Sequence, residues 1–181
     1  MPSLGPDVTP VITTDRLRLT VPQDSDVNAV FEIHSDPRTY QHRPDLVMRS
    51  RTEAVELIRQ WQSHWSNDGI GYFVVSTKTG EVIGFAGVRR SKEAGEAVLN
   101  LYYRFAPHSH GHGYATEAAG AAIEWAQGVH AGLPIVAVID PSNTASARLA
   151  RKLGMYRVQT EGASGDHDLY QLCGGRTVRS V

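Results

Sequence analysis

Cysteine is nearly absent from this chain: Cys173 stands alone in 181 residues. An intramolecular disulfide framework is therefore excluded, and a reducing compartment fits. An excess of one charge is also missing. Lys and Arg number 18 against 19 Asp and Glu, for a formal net charge of −1 near neutral pH. Nucleic-acid binders usually carry a basic excess or stripe, so that class loses support. The eight histidines would add positive charge only in mild acid. No apolar run approaches the ~20 residues that a membrane span needs. Met1 to Pro10 lacks the positive-then-apolar pattern of a secretory signal. Neither an internal repeat nor a long linker is visible. The expectation is one cytoplasmic domain over residues 13–173, with no membrane or nucleic-acid partner, flanked by a flexible arm (1–12) and tail (174–181).

What is present is a glycine-bearing turn, Ala106-Pro107-His108-Ser109-His110-Gly111-His112-Gly113-Tyr114-Ala115-Thr116-Glu117. Glycines just before a helix let backbone approach a ligand without a Cβ in the way. The first helical turn adds unpaired N–H groups and the positive end of the dipole, which together suit a phosphate. An ordinary strand-to-helix turn would read the same, so the flanks decide. Before the turn, Leu99, Leu101, Tyr103 and Phe105 alternate onto one strand face. After it, Tyr114, Ala118, Ala121, Ala122, Trp125 and Val129 recur at helical spacing. Ile135-Val136-Ala137-Val138-Ile139 then reads as a strand buried on both faces. The series is strand, phosphate turn, helix, parallel strand. No Gly-Lys-Ser/Thr follows the glycines, which argues against a nucleotide kinase.

Elsewhere, Arg16–Val21 reads as a strand, and Asp24-Ser25-Asp26 caps a helix bearing Val27, Val30 and Phe31. Residues 36–47 hold Pro37 and Pro44 and read as loop. Ser50-Arg51-Thr52-Glu53 has capping-box spacing and opens a helix whose Trp61 and Trp65 read as core anchors. Tyr72–Thr77 and Val82–Arg90 form a hairpin around Lys78-Thr79-Gly80, and Ser91–Glu96 reads as a second turn. Asn143 or Ser142 caps a last helix that Gly154 ends. Met155–Thr160 and Asp168–Cys173 are the final strands, with Cys173 read as a packed strand residue rather than a nucleophile. The fold class is α/β: a central mixed sheet of about six to seven strands with helices on both faces.

The ordered set resembles the GNAT superfamily of acetyl-CoA-dependent N-acetyltransferases, in its RimJ/RimL-type branch. The family's turn, Arg/Gln-x-x-Gly-x-Gly/Ala, is matched by His108-Ser109-His110-Gly111-His112-Gly113. Its Asn-x-x-Ser block and helix end are matched by Asn143 to Met155. Thr14-Asp15-Arg16-Leu17-Arg18-Leu19 and Val82-Ile83-Gly84-Phe85-Ala86-Gly87-Val88 also look like that branch. The resemblance implies transfer of acetyl from acetyl-CoA, as cosubstrate and without a metal, to a primary amine by direct attack. It implies an acceptor that is a protein N-terminus or a small-molecule amine, and a homodimer by analogy.

The resemblance also implies roles. His110, Gly111, His112, Gly113, Tyr114 and Ala115 meet the diphosphate. Tyr103, Arg104 and Phe105 offer a strand edge to the pantetheine arm, and Phe105 N–H serves as oxyanion donor. Asn143 holds the arm, and Ser146 lies near the leaving sulfur. A plain alternative for Ser146 is a bond to a carbonyl one turn back. Ala150 stands where many relatives carry a tyrosine acid, and Asn100 where the branch often has a glutamate base. Asparagine takes no proton at neutral pH, so a non-catalytic acyl-CoA-binding or sensing module is the alternative. His34, His42, Glu96 and Asp168 are the other candidate bases, without a spacing argument. His108, His110 and His112 read as neighbours of the phosphates rather than as metal ligands. Arg148, Arg151 and Lys152 read as a solvated helix face within reach of the CoA 3′-phosphate, and His42 and Arg43 as loop residues near the acceptor.

Overall fold

The structure is a computed structural model that describes residues 10–93, 95–158 and 167–174. Residues 1–9 of the expected arm, 175–181 of the expected tail, and Gln159 and Thr160 at the end of an expected strand lie outside the described residues.

Among the described residues eight strands form one sheet: β1 (Val11–Thr13), β2 (Leu17–Thr20), β3 (Tyr72–Thr77), β4 (Val82–Glu93), β5 (Glu96–Phe105), β6 (Ile135–Ile139), β7 (Met155–Val158) and β8 (Asp168–Leu172). Their order across the sheet is β1-β2-β3-β4-β5-β6-β8-β7. The count exceeds the six to seven expected by the edge strand β1, three residues too short to show a period of two. It pairs antiparallel with β2, Ile12 opposite Leu19. The expected second turn at Ser91–Glu96 contracts as well. Pairing of β4 with β5 continues to Glu93 opposite Glu96, because Gly95 takes a φ of 80° and closes the hairpin within two residues.

Among the described residues four α-helices cover the sheet: α1 (Val27–Ser35), α2 (Arg51–Asp68), α3 (Tyr114–Val129) and α4 (Thr144–Lys152). α2 starts where the capping residues foretell. Ser50 Oγ accepts from Glu53 N–H at 3.3 Å and donates to Glu53 Oε1 at 2.9 Å, a cap worth about 1 kcal/mol. On one face α1 and α2 bury Val30, Ile33, Ile58 and Trp61 against Tyr72, Val74 and Phe85. On the other, α3 lays Ala118 and Ala122 on Leu17, Leu19, Phe73, Val75 and Ile83. Its Ala119, Ile123 and Ala126 meet Leu99, Leu101, Ile135 and Ala137. The buried face of α3 is thus rotated from the expected stripe. Small alanines let the helix lie close to the sheet, and Val129 is left 41% exposed beyond its edge. Trp65 anchors α2 through Nε1–H to Tyr72 O at 2.9 Å. Cys173 corrects another expectation: it sits in the turn after β8 and is exposed.

Among the described residues only one connection runs parallel, from β5 through α3 to β6. It pairs Leu99 with Ile135 and Asn100 with Val136 and goes no further. Beyond that point β5 continues to Phe105 and β6 to Ile139 without each other. The sheet therefore splits along the middle. Val138 is 40% exposed at the split, contrary to the burial expected for the whole β6 run.

Candidate active site

The split between β5 and β6 is a cavity of about 220 Å3, lined by Leu101 to Arg104, Ala137 to Asp140, Asn143, Ser146 and the loop residues Thr39, Tyr40, His42 and Arg43. The backbone of β5 shows what it offers there. Ala106 N–H donates to Ile83 O, and the β4–β5 register runs without a shift. Antiparallel pairing alternates direction residue by residue. Even-numbered residues of β5 therefore bond β4, while Tyr103 and Phe105 turn their N–H and C=O toward the gap. Phe105 O is met there by His110 Nε2 at 3.1 Å, so that ring nitrogen carries the proton.

At the end of β5, Gly111 and Gly113 take φ values of 82° and 79°. A Cβ at Gly111 would meet nothing within 4 Å, so open space lies over it. Gly113 is the N-cap of α3 and supplies no side-chain cap. Glu117 N–H closes the first helical turn onto Gly113 O at 3.1 Å. Among the described residues, no backbone carbonyl outside the helix accepts from N–H groups 111 to 115. The turn is a run of free donors at the positive end of a 16-residue helix.

Arg16 flanks this turn, a placement for which the sequence carried only the family-like opening around it. Its Nη1 donates to His112 O at 2.9 Å, and its guanidinium lies 4.8 Å from the Tyr114 ring centroid. Glu117 holds it through Nε at 2.7 Å and Nη2 at 2.5 Å, and also accepts from Thr14 Oγ1 at 2.6 Å. The three histidines of the turn diverge. His108 pairs with Glu81 at 3.0 Å, His110 bonds Phe105, and the His112 ring stacks on Tyr114 at 5.5 Å. Among the described residues no group of three or more His, Cys, Asp or Glu is placed to hold a metal ion.

Asn143 Oδ1 accepts from Ser146 N–H at 3.0 Å and so caps α4. That leaves the Asn143 NH2 as its donor toward the cavity. Ser146 lines the same cavity, and its carbonyl accepts from Tyr103 O–H at 3.5 Å. The Ser146 side chain faces the Tyr103 phenol, and among the described residues no hydrogen bond runs from its hydroxyl to the carbonyl one turn back. Burial raises the Tyr103 phenol to about 12, against the Ser146 hydrogen bond. Ala150 is buried and brings no acid.

Arg104 behaves unlike its neighbours in sequence. Its side chain crosses to the α1–α2 face, where its guanidinium covers the Tyr40 ring at 3.5 Å and Nε donates to Tyr102 Oη at 3.1 Å. Nη1 donates to Thr39 O. On that face lies a second cavity of about 660 Å3, walled by Met48, Trp61, Tyr72, Tyr102, Arg89 and the α2 residues Glu53, Glu56, Gln60 and His64. Tyr40, Tyr102 and Arg104 line both cavities, which therefore meet at these three side chains. His34 sits under the junction, 2.6 Å from Tyr40 Oη and 3.5 Å from Tyr102 Oη. Burial, reinforced by the Arg104 charge, lowers its pKa to about 3. It is a neutral imidazole between two phenols, whose own pKa values burial raises.

The remaining candidates scatter. His42 Nδ1 is 3.0 Å from Ser142 Oγ at the mouth of the smaller cavity. Arg43 pairs with Asp45 at 2.8 Å. Glu96 closes the β4–β5 hairpin, and Asp168 is bound by Arg157. Arg148, Arg151 and Lys152 are exposed on α4. Asn100 Oδ1 is buried with no hydrogen-bond partner among the described residues. The junction of Tyr40, Tyr102 and His34 escaped sequence reading because it joins a loop, a helix and a strand far apart in the chain.

A family model described as an acetyltransferase (GNAT) domain matches residues 16–156. The uncharacterized protein YkkB of Bacillus subtilis (strain 168) is 30% identical over 151 residues, covering 82% of this chain and 87% of that protein. An acetyltransferase from Agrobacterium tumefaciens str. C58 superimposes with a TM-score of 0.76 at 24% identity, over 91% of this chain and 94% of that one. RimL, a ribosomal L7/L12 alpha-N-protein acetyltransferase solved with coenzyme A, gives a TM-score of 0.73 at 16% identity, over 90% and 96%. At such identities these two structures share the fold.

Proposed function

The chain belongs to the GNAT acetyltransferase family, and on that footing we propose that it moves the acetyl group of acetyl-CoA to a primary amine by direct attack, with no acyl-enzyme. The observation that carries this reading is the split of β5 from β6 past Asn100 and Val136, with a turn of free N–H groups at one end.

In this reading residues 13–173 act as one catalytic domain. The N–H groups of Gly111, His112, Gly113, Tyr114 and Ala115 take the diphosphate, with the Arg16 charge beside them. The pantetheine arm adds to the free edge of β5 at Tyr103 and Phe105, and the Asn143 amide steadies it. The larger cavity receives the acceptor, whose nitrogen reaches the thioester at the Tyr40–Tyr102–Arg104 junction. The neutral amine attacks the thioester carbon, and Phe105 N–H stabilises the oxyanion. As the C–S bond breaks, Ser146 O–H gives its proton to the departing thiolate and recovers one from the attacking nitrogen through water. With Asn100 at that position of β5, no carboxylate stands there to take the proton, so amine already neutral at the working pH is the reacting species.

The acceptor is an N-terminal amine of a protein, as for the L7/L12 alpha-N-protein acetyltransferase RimL, or a small-molecule amine. Incubation with acetyl-CoA and a panel of amines and N-terminal peptides, with release of the CoA thiol followed by absorbance, tests the reading. Thiol release dependent on amine supports it. Asn100, half-buried where a glutamate base would stand, favours one second reading, a binding module without turnover. Tight acetyl-CoA binding by calorimetry with no thiol release on any amine would establish that one instead.

A further inference from the structure

The larger cavity has a charge at its far end that the transfer reaction does not use. Arg89 of β4 stands opposite Asn100, and Phe85 opposite Arg104. Arg89 therefore lies four residues along the sheet from the junction where the two cavities meet. At the usual rise per residue this is about 13 Å. Both arginines line the same cavity. Between them Tyr72 and Tyr102 lie on either side of Gly87, their ring centroids 4.7 Å apart, and form an aromatic floor. A Cβ at Gly87 would fall 2.5 Å from Gly71 O, so the strands approach closely here.

The two guanidiniums differ in their state. Arg104 is spent on Thr39 O, Tyr102 Oη and the Tyr40 ring. Arg89 gives Nε to Tyr72 Oη at 2.9 Å and Nη1 to Arg90 O at 3.3 Å. Among the described residues it has no ion pair with a carboxylate, and its Nη2 has no partner. Beside it, His64 Nδ1 is buried without a hydrogen-bond partner, and its ring lies edge-on to Tyr72 at 6.5 Å. A half-buried guanidinium is normally matched by an acid, and its planar fork suits a carboxylate best. Glu53 is not that acid, since it is taken up by Ser50 and Arg49 at the start of α2.

We propose that Arg89, with His64 beside it, binds a carboxylate of the acceptor, so that, with about 3 Å of that span taken by the contact to the guanidinium, the substrate is an amine carrying an acid group roughly 10 Å from its reacting nitrogen. This rests on the larger cavity being the acceptor side. A chain of three residues spans about 10 Å when extended, so the chemistry fits the free C-terminus of a tripeptide or an acidic third residue of a longer N-terminus. The aromatic floor favours an apolar group between the two ends.

The test compares Gly-Phe-Gly with its C-terminal amide, and an amidated ten-residue peptide bearing Glu at position 3 with its Gln counterpart. Wild type and Arg89→Met are assayed for thiol release, and the peptides are titrated by calorimetry into protein saturated with CoA. The expected result is at least tenfold tighter binding or lower KM for the acid member of one pair. In Arg89→Met that preference disappears, while kcat and acetyl-CoA affinity stay within twofold. The pair that shows it identifies the carboxylate source. Equal behaviour of acid and neutral members in wild type, binding of neither, or equal loss for both in Arg89→Met would overturn the proposal. Failure of the transfer reading is separate. It would appear as amine-independent thiol levels with all peptides, whereas the calorimetric preference requires no turnover.

Discussion

The Arg104 guanidinium lies over the Tyr40 ring at 3.5 Å from its centroid. One residue is at the open edge of β5 and the other in the loop that follows α1. The contact fastens the loop across the seam between the two cavities, and the Arg104 bond to Thr39 O fixes the loop backbone as well. In this way the fold links the strand that faces the thioester to the loop that faces the amine.

Arg104→Met should loosen that link. The substitution keeps much of the apolar stem but removes the cation–π contact and leaves Thr39 O without its donor. Each loss is worth about 1 kcal/mol, so unfolding by urea should show a decrease of about 2 kcal/mol. The KM for the amine should rise about tenfold while acetyl-CoA affinity changes little, since the phosphate turn is untouched. An unchanged amine KM would mean that the loop does not bound the acceptor cavity.

Gly111→Ala should separate backbone conformation from ligand contact. At a φ of 82° an L side chain costs about 1 kcal/mol or more. The added methyl meets no protein atom within 4 Å, so the fold should persist. If the turn grips the diphosphate, acetyl-CoA affinity should fall about tenfold, measured by calorimetry. Turnover of the short thioester S-acetyl-N-acetylcysteamine, which has no phosphate, should not change. Equal effects on both thioesters would remove the diphosphate from this turn.

Much of this arrangement was legible in the chain itself. The alternation of Leu99 to Phe105, the two turn glycines and the β-branched run at Ile135 predict a strand, a donor-rich turn, a helix and a parallel strand, and those elements meet where expected. Local signals carried that part: a cap, a period, a glycine. What escaped is long-range. β1 has three residues and gains its place from pairing with β2. The acceptor side depends on Arg104 passing to the face opposite Tyr103, which strand alternation allows, but its landing on Tyr40 depends on how a proline-bearing loop folds. Likewise Arg16 was visible only as part of a family-like opening. Its bond to His112 O spans 96 residues, and no spacing rule reaches that far.

Ser146→Ala tests the proton donor. Ser146 lines the cavity, its side chain facing the Tyr103 phenol, and its loss should not disturb α4, whose cap uses the Ser146 backbone. If it protonates the departing thiolate, kcat should drop about 100-fold with acetyl-CoA affinity unchanged. The deficit should shrink for a thioester whose thiol is more acidic than CoA, because that leaving group needs the proton less. A drop in affinity with kcat preserved would instead place Ser146 among groups that merely hold the arm.

His34→Gln addresses acid stability. His34 is 3% exposed and its pKa is lowered from 6.5 to about 3, first by burial and then by Arg104. Between these two values the unfolded chain binds a proton at this position and the folded chain does not. Stability from the neutral imidazole is therefore complete above about pH 6.5 and is lost as pH falls toward 3. The slope from this one group is about 1.4 kcal/mol per pH unit. Burial also lowers the pKa of His64 and His130, and they act with the same sign. So do Asp36 and Asp45, whose pKa values are lowered by hydrogen bonds to Arg38 and Arg43 and which lose their stabilising charge when protonated. These groups are common to both proteins, so the difference between wild type and His34→Gln isolates His34. Glutamine retains a group able to bond Tyr40 and Tyr102 but does not titrate. The variant should be less stable than wild type at pH 7.5, and the two urea midpoints should converge as pH is lowered from 6.5 to 4. Midpoints that stay parallel over this range would show that His34 titrates alike in the folded and unfolded chain, and that the imidazole beneath the junction is not held neutral by burial.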